Sequence, residues 1–292
     1  GSHAEVVSVH HDLCAKVPAS VTSETAGFTP LCAIALQGIN LLGVQRGDKV
    51  VVTGLGLIGQ LAVRILRSSG CEVLGIDPAP DRRALAAKSG AHIIEGDPVA
   101  AALSWTGGEG VAGVLITAST SSNAVVNQSA LSCRRRGKVV LVGVVGLQLN
   151  RADFYRNEVS FQVSCSYGAR DASASSSAQE NFRRVLAWMG EGTLRVDDLI
   201  TDRFDFGDAP TAYTRLFDRA ALGILMNYRQ GDDSVLRRDV ELGPAIHPAP
   251  GVAIVGAGNF ATRTLLPAMA KLDHRPPVRA VASHQGYAAM LA

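Results

Sequence analysis

What this chain has little of narrows its reading. Aromatic residues make up 5% of its 292 residues, too few for an aromatic-rich β-sandwich. The 30 glycines suit an α/β fold with many tight turns. Charge of one sign is not in excess: the formal net charge is +2, which makes no electrostatic case for nucleic acid. The densest basic run, Arg134-Arg135-Arg136 followed by Lys138, stands before an apolar strand pattern and reads as a charged helix end turning into a strand. No apolar run has the length of a membrane span, and no segment has the layout of a signal peptide. The expected compartment is therefore the cytoplasm, with no membrane partner. Five cysteines, Cys14, Cys32, Cys71, Cys133 and Cys165, include no CxxC pair. In apolar surroundings they read as buried free thiols of a reducing compartment. Gly1-Ser2-His3 reads as a tag scar, and His3 is set aside.

What is present is a core and a rhythm. Hydrophobic residues make up 47% and charged residues 18%, which argues against wholesale disorder. Val7-Ser8-Val9 alternates like a short strand, and residues 24–43 carry a helical apolar face punctuated by Gly38 and Gly43. From Lys49 onward, short apolar strands alternate with helices. Strands are expected at residues 49–53, 72–76, 92–94, 111–117, 139–142 and 159–164. Helices are expected between them. The run Val50-Val51-Val52 has the β-branched continuity of a strand covered on both faces. This is the pattern of a doubly wound parallel α/β sheet, a Rossmann sheet. Further helices are expected at residues 181–189 and 208–219, the second with Asp208 as N-cap and Pro210 in its first turn. Residues 230–250 read as a proline-bearing linker. Residues 251–292 read as the start of a second dinucleotide-binding unit whose remainder is absent, since about 40 residues are too few for a core of their own.

The chemistry concentrates in one turn. Gly54-Leu55-Gly56-Leu57-Ile58-Gly59 follows a strand, opens a helix, and is followed 23 positions after Gly54 by Asp77 at the end of the next strand. Gly54 permits the tight turn, Gly56 lets the backbone approach a pyrophosphate, and Gly59 lets helix and strand pack closely. The amides around Leu57, Ile58 and Gly59, with the helix dipole, hold the anion. Asp77 is expected to accept from the adenosine ribose hydroxyls and to repel a 2′-phosphate, so NAD is expected over NADP. Arg82 and Arg83 pull slightly the other way, and Arg82 is a candidate for adenine stacking. In an open sheet the ligand lies outside the carboxyl ends of the strands. Ala118 and Ser119 after the fourth strand, and Val142, Gly143 and Val144 at the end of the fifth, are therefore expected to line the nicotinamide half.

Other residues read as ordinary structure. His10, His11 and His92 are expected at surface or packing positions, and His247, His274 and His284 have no sequence-near metal partner. Cys133 and Cys165 read as small buried hydrophobes. Tyr155, Tyr167 and Arg170 stand near the sheet's active edge, with position alone giving no catalytic role. Phe182 and Trp188 read as core, and Asp197-Asp198 as a cap or solvated turn.

These segments together resemble the medium-chain dehydrogenases/reductases, the alcohol, polyol and threonine dehydrogenase relatives. The resemblance rests on Val17-Pro18, Thr29-Pro30-Leu31 through Gly38, Gly47-Asp48-Lys49-Val50, the Gly54–Gly59 turn, Thr106 to Gly110 and Ser164 to Gly168, and spans residues 4–228. It implies remnants of a catalytic domain with its connecting helix at 4–46, an NAD-binding Rossmann domain at 47–168, and a return segment at 169–229. It also implies a homodimer joined edge to edge through residues 159–164. Zinc-dependent members carry an acidic residue or Cys before a Pro-Leu pair. Thr29 stands there, and a hydroxyl is a poor zinc ligand beside a carboxylate or thiolate, so no metal is expected. Gly256-Ala257-Gly258-Asn259-Phe260-Ala261 with Leu265-Leu266-Pro267-Ala268 is similar to the start of the glucose-fructose oxidoreductase/inositol dehydrogenase family. A chain with both modules resembles a two-domain bacterial oxidoreductase. The resemblance implies an NAD(H)-binding oxidoreductase fragment whose parent acts on a polyol, sugar or related alcohol or carbonyl, with catalytic residues unassigned. The alternatives are a non-catalytic nucleotide-binding and dimerisation module, and a zinc-independent carbonyl or quinone reductase.

Overall fold

The computed structural model describes residue 3 and residues 7–168, 177–218, 220–228 and 251–282. Arg170, His247 and His284 lie outside the described residues. The chain divides into two units, residues 1–228 and 229–292.

In the first unit, helices α1 (Ser23–Ala26) and α2 (Thr29–Leu42) lead to the sheet. The single helix expected over 24–43 is thus two. Thr22 caps α1 through its side chain, and Pro30 restarts the helix at the beginning of α2. Gly43 ends α2 in the left-handed conformation (φ 67°). The sheet then builds by alternation: β1 (Lys49–Thr53), α3 (Leu57–Ser68), β2 (Glu72–Ile76), α4 (Pro80–Lys88), β3 (His92–Ile93), α5 (Pro98–Trp105), β4 (Val111–Ile116), α6 (Ala124–Ser132), β5 (Cys133–Leu141), α7 (Arg151–Tyr155) and β6 (Ser160–Val163). All pairings are parallel, in the order β3-β2-β1-β4-β5-β6. This is the doubly wound order, and its switch point lies between β1 and β4.

The strands β1, β2, β4 and β5 feed two cores. Val50, Val52, Val73, Leu115 and Val140 face one side, with α2, α3 and α8 (Ala178–Gly190) packed there. Val51, Leu74, Val114, Ile116, Val139 and Leu141 face the other, against α5 and α6. The two-residue alternation of a pleated strand, covered on both faces, explains the near-continuous valines. Gly38 lets α2 close on the sheet, since a Cβ there would stand 2.5 Å from Val142 Cγ2 and 2.9 Å from Leu115 Cδ1.

After α8 the chain forms β7 (Ile200–Asp205), α9 (Ala209–Arg215) and β8 (Gly223–Asn227), a small parallel pair with its crossover helix. Asp208 precedes α9 without a side-chain capping bond, contrary to expectation, while Pro210 does sit in the first turn. Asp198 and Asp197 are tied down. Asp198 takes a two-pronged bond from Arg64 at 2.6 and 2.7 Å, and Asp197 accepts from the Thr25 hydroxyl at 2.9 Å.

Four other expectations change. Residues 7–9 are irregular and exposed, with no strand beside them among the described residues, and alternation without a neighbouring strand leaves backbone groups to water. Cys14 and Cys165 are exposed rather than buried. Arg134 to Arg136 lie within β5 rather than at a helix end, with Arg136 at φ 60° and Arg134 bonded to Asp48 at 3.2 Å. Trp188 is only partly buried and carries the Arg184 guanidinium over its ring, while Phe182 is core.

In the second unit, β9 (Val252–Val255) and β10 (Val278–Ala282) pair in parallel across a π-turn (Ala261–Leu265) and α10 (Leu266–Met269). This is the first strand–helix–strand of a Rossmann-type unit, with Gly256 at φ 96° after the strand. Among the described residues no helix is long and apolar enough to cross a membrane.

Candidate functional site

Three glycines at the end of β1 do three different things. Gly54 has φ 92°, which disfavours any side chain, and a Cβ there would stand 2.5 Å from the Ala118 nitrogen. Gly59 sits against the turn itself, where a Cβ would overlap the Gly54 carbonyl oxygen and stand 3.0 Å from Thr117 Oγ1. Gly56 faces open space: the one described atom within 4 Å of a Cβ there is Arg82 Nη1, at 3.9 Å. Two glycines therefore serve internal packing, and the middle one leaves a hollow. Gly56 is also the N-cap of the 12-residue α3, and it offers no side chain to the helix. The amides of Leu57, Ile58 and Gly59 belong to the first turn, which lacks intrahelical acceptors. Uncapped amides, the positive end of a helix dipole and the open space over Gly56 are features that favour an anion at this turn.

The turn is braced from both sides. The Thr117 hydroxyl donates to the Gly54 carbonyl at 2.5 Å. The Leu55 amide donates to Asp77 Oδ2 at 2.7 Å, and the Ala79 amide to Asp77 Oδ1 at 2.8 Å. Asp77 is 7% exposed. A carboxylate has about four acceptor positions, so two backbone bonds leave capacity for ribose hydroxyls. Gln60, fully buried, donates through Nε2 to the Leu55 carbonyl at 3.0 Å and the Arg82 carbonyl at 2.8 Å. Arg83 is committed elsewhere, to the carbonyls of Asp77 and Pro78 at 2.8 and 2.9 Å and to Glu95 at 3.0 Å. That removes one of the two guanidiniums that favoured a 2′-phosphate.

The other side of the crevice is built by extending β4 and β5. The Val142 and Gly143 amides donate to the Ile116 carbonyl at 2.8 and 2.9 Å. Ser119 and Val144 form a parallel bridge, and the Val144 amide donates to the Ala118 carbonyl at 3.0 Å. Gly143 is required by proximity, since a Cβ there would overlap the Ala118 carbonyl oxygen. Val144 is 72% exposed. The structure thus brings Gly54 and Ala118 into contact at the switch point. Gly56, Asp77 and Arg82 lie on one side of that contact, and Ser119 and Val144 on the other.

Thr29 begins α2, with its hydroxyl buried and lacking a hydrogen-bond partner among the described residues. It belongs to no cluster of metal-ligating side chains among the described residues. Among the described residues one such cluster occurs, the exposed turn His10-His11-Asp12. Cys32 and Cys133 are pushed up to about 12 by burial, which leaves them unreactive. Tyr155 is exposed under the Arg151 guanidinium, and Tyr167 lies against Phe182.

Residues 58–190 match the family described as zinc-binding dehydrogenase. The (R,R)-butanediol dehydrogenase of Bacillus subtilis (strain 168) is 28% identical over 216 residues, which are 71% of this chain and 58% of that protein. The L-galactonate-5-dehydrogenase of Escherichia coli (strain K12) is 28% identical over 202 residues, 67% of this chain and 56% of that one. The solved alcohol dehydrogenase TADH from Thermus sp. ATN1 superposes with a TM-score of 0.65 at 25% identity, covering 74% of this chain and 62% of that one. The sheet has the parallel strand order of a Rossmann fold and is similar in fold to that of the solved alcohol dehydrogenase. The match to that family opens at Ile58, within the glycine turn, and runs through β6 to the end of α8. The chain spans less than two thirds of the length of each of these three proteins.

Sequence reasoning missed Gln60 and Thr117 as parts of the turn. For Gln60 there was a signal: it is the one amide on the otherwise apolar inner face of α3. For Thr117 there was none, because its contact with Gly54 joins residues 63 positions apart.

Proposed function

We propose that this chain binds NAD(H) across the crevice between β1 and β4, as the cofactor-binding part of an oxidoreductase acting on a polyol, sugar or related alcohol or carbonyl. The observation that carries this reading is the hollow at Gly56, faced by uncapped amides and flanked by Asp77. In it, Gly54, Gly56, Leu57, Ile58 and Gly59 seat the pyrophosphate, Asp77 takes the adenosine ribose and Arg82 covers the adenine side. Ala118, Ser119, Val142, Gly143 and Val144 line the nicotinamide side. Bound there, the nicotinamide supplies or accepts hydride. The chain's own part is to orient it and to exclude a 2′-phosphate at Asp77. The names of the butanediol and galactonate relatives support a polyhydroxy substrate class.

Thr29 favours a zinc-independent reaction, which is expected to be indifferent to chelators. The edge of β6 (Ser160–Val163), bonded among the described residues to β5 alone, supports pairing of two copies along that edge, since an unpaired edge invites association. The second glycine turn, at Gly256, supports a further nucleotide-binding unit like those of the glucose-fructose oxidoreductases.

The test is titration of the chain with NADH and NADPH, read by quenching of protein fluorescence. Saturable quenching by NADH, weaker with NADPH, is expected. Quenching by neither overturns the reading.

A further inference from the structure

Gln60 is the buried polar side chain that cofactor contacts leave unexplained. It lies on the inner face of α3, fully buried, between Gly59 and Leu61. Its Oε1 is buried and has no hydrogen-bond partner among the described residues. An unpartnered buried acceptor costs stability, and a leucine of similar volume would fill the space without that cost. Packing therefore gives no reason for an amide here. Its two N–H groups give one: the carbonyls they reach belong to the glycine turn and to the first turn of α4. Leu55 is the residue between Gly54 and Gly56, and its amide is already held by Asp77. Arg82 stands in the first turn of α4, with Nη1 at the mouth of the Gly56 hollow.

We propose that Gln60 is a positioning residue for the dinucleotide. Its single amide group ties the phosphate turn to the first turn of α4 and so holds Arg82 over the Gly56 hollow. This rests on the reading of that hollow as a dinucleotide seat. Neither carbonyl touches the ligand in this scheme. Gln60 acts by fixing the Leu55 peptide, which keeps the following amides aimed outward, and by fixing the backbone that carries Arg82.

The experiment is a double-mutant cycle on the full chain, with NADH and ADP-ribose as probes, using Gln60→Leu, Arg82→Ala and the pair. Gln60→Leu is expected to raise the NADH dissociation constant about tenfold with the fold intact, and the double variant to lose less than the product of the two single losses, as coupled residues do. Gln60→Glu supplies a readout that a packing role would not move. Facing two carbonyl oxygens, its side chain donates a bond only when protonated, and burial raises the pH at which it deprotonates. Its affinity for ADP-ribose, relative to the unmodified chain, is expected to recover as pH falls from about 8 to about 6. Unmodified chain that binds neither probe removes the dinucleotide reading itself. Unmodified chain that binds, with folded Gln60→Leu binding equally or with fully multiplicative losses, overturns the role of Gln60. Should Gln60→Leu fail to fold, the Gln60→Glu profile decides, and a flat one overturns the proposal.

Discussion

The Leu55 amide is held by Asp77 Oδ2 at 2.7 Å, so the acidic residue at the end of β2 is part of the glycine turn's architecture. The expectation gave Asp77 the ribose alone. In the fold it also closes the turn, and Ala79 adds a second backbone bond to the same carboxylate.

Asp77→Ala is therefore expected to have two effects. It leaves two amides without their acceptor, at about 1–3 kcal/mol each if they stay buried, and the melting temperature falls accordingly. It also weakens NADH more than NADPH, because the repulsion of a 2′-phosphate goes with the carboxylate. Thermal unfolding and parallel titrations check both. Equal losses for the two cofactors would count against the preference for NAD.

The neighbouring glycines separate binding from folding. Gly56→Asp places a carboxylate where the structure has room, beside Arg82 Nη1. The melting temperature is expected to change little, while NADH binding is abolished by bulk and like charge. Unchanged calorimetric affinity would remove the assignment.

Gly59→Ala is expected to do the opposite. Its Cβ meets the Gly54 carbonyl, so helix and strand must part, at a cost of about 1–3 kcal/mol. Denaturant unfolding should show the loss even without ligand.

Acid sensitivity should trace to Asp198. The Arg64 guanidinium, hydrogen-bonded to it, holds its carboxyl below the usual carboxylate range. The folded value is depressed, so the stabilisation is present above about pH 4, the ordinary aspartate value, and is lost as pH falls through the lowered one. Asp198→Asn is expected to cost about 1 kcal/mol or less at neutral pH, since the carboxylate is more than half exposed. The difference from the unmodified chain should vanish in strong acid, and a gap that persists there would mean another cause.

Thiol labelling gives a direct reading of burial. Cys14 and Cys165 are exposed and should react promptly with an aromatic disulfide reagent in the native state. Cys32, Cys71 and Cys133 should react only on unfolding, because burial both covers them and raises their thiol pKa values.

The sheet was readable because its signals are local. Val50-Val51-Val52 declares a doubly covered strand, and Gly54 to Gly59 followed by Asp77 declares the strand–turn–helix–strand unit around it. Where local pattern met long-range partnership, reading failed. Val7-Ser8-Val9 alternates but finds no neighbouring strand among the described residues. Cys165 follows an apolar run yet is exposed, two residues beyond the end of β6. The bracing by Thr117 was invisible for the same reason, since its bond to Gly54 joins segments that meet only when β1 and β4 lie side by side; so was the bond from Gln60 to Arg82, which needs β1 beside β2.

The extension of β4 and β5 past the sheet carries one more consequence. Val144 is bonded to the Ala118 carbonyl, and the Ala118 backbone abuts Gly54 with no clearance for a methyl group. The far lip of the crevice and the bend at its centre thus form one main-chain sill, with no side chain between them to absorb a shift. Displacing the backbone at Val144 should loosen both ends of the groove in a single event, so a substitution there would be felt at a place it never touches.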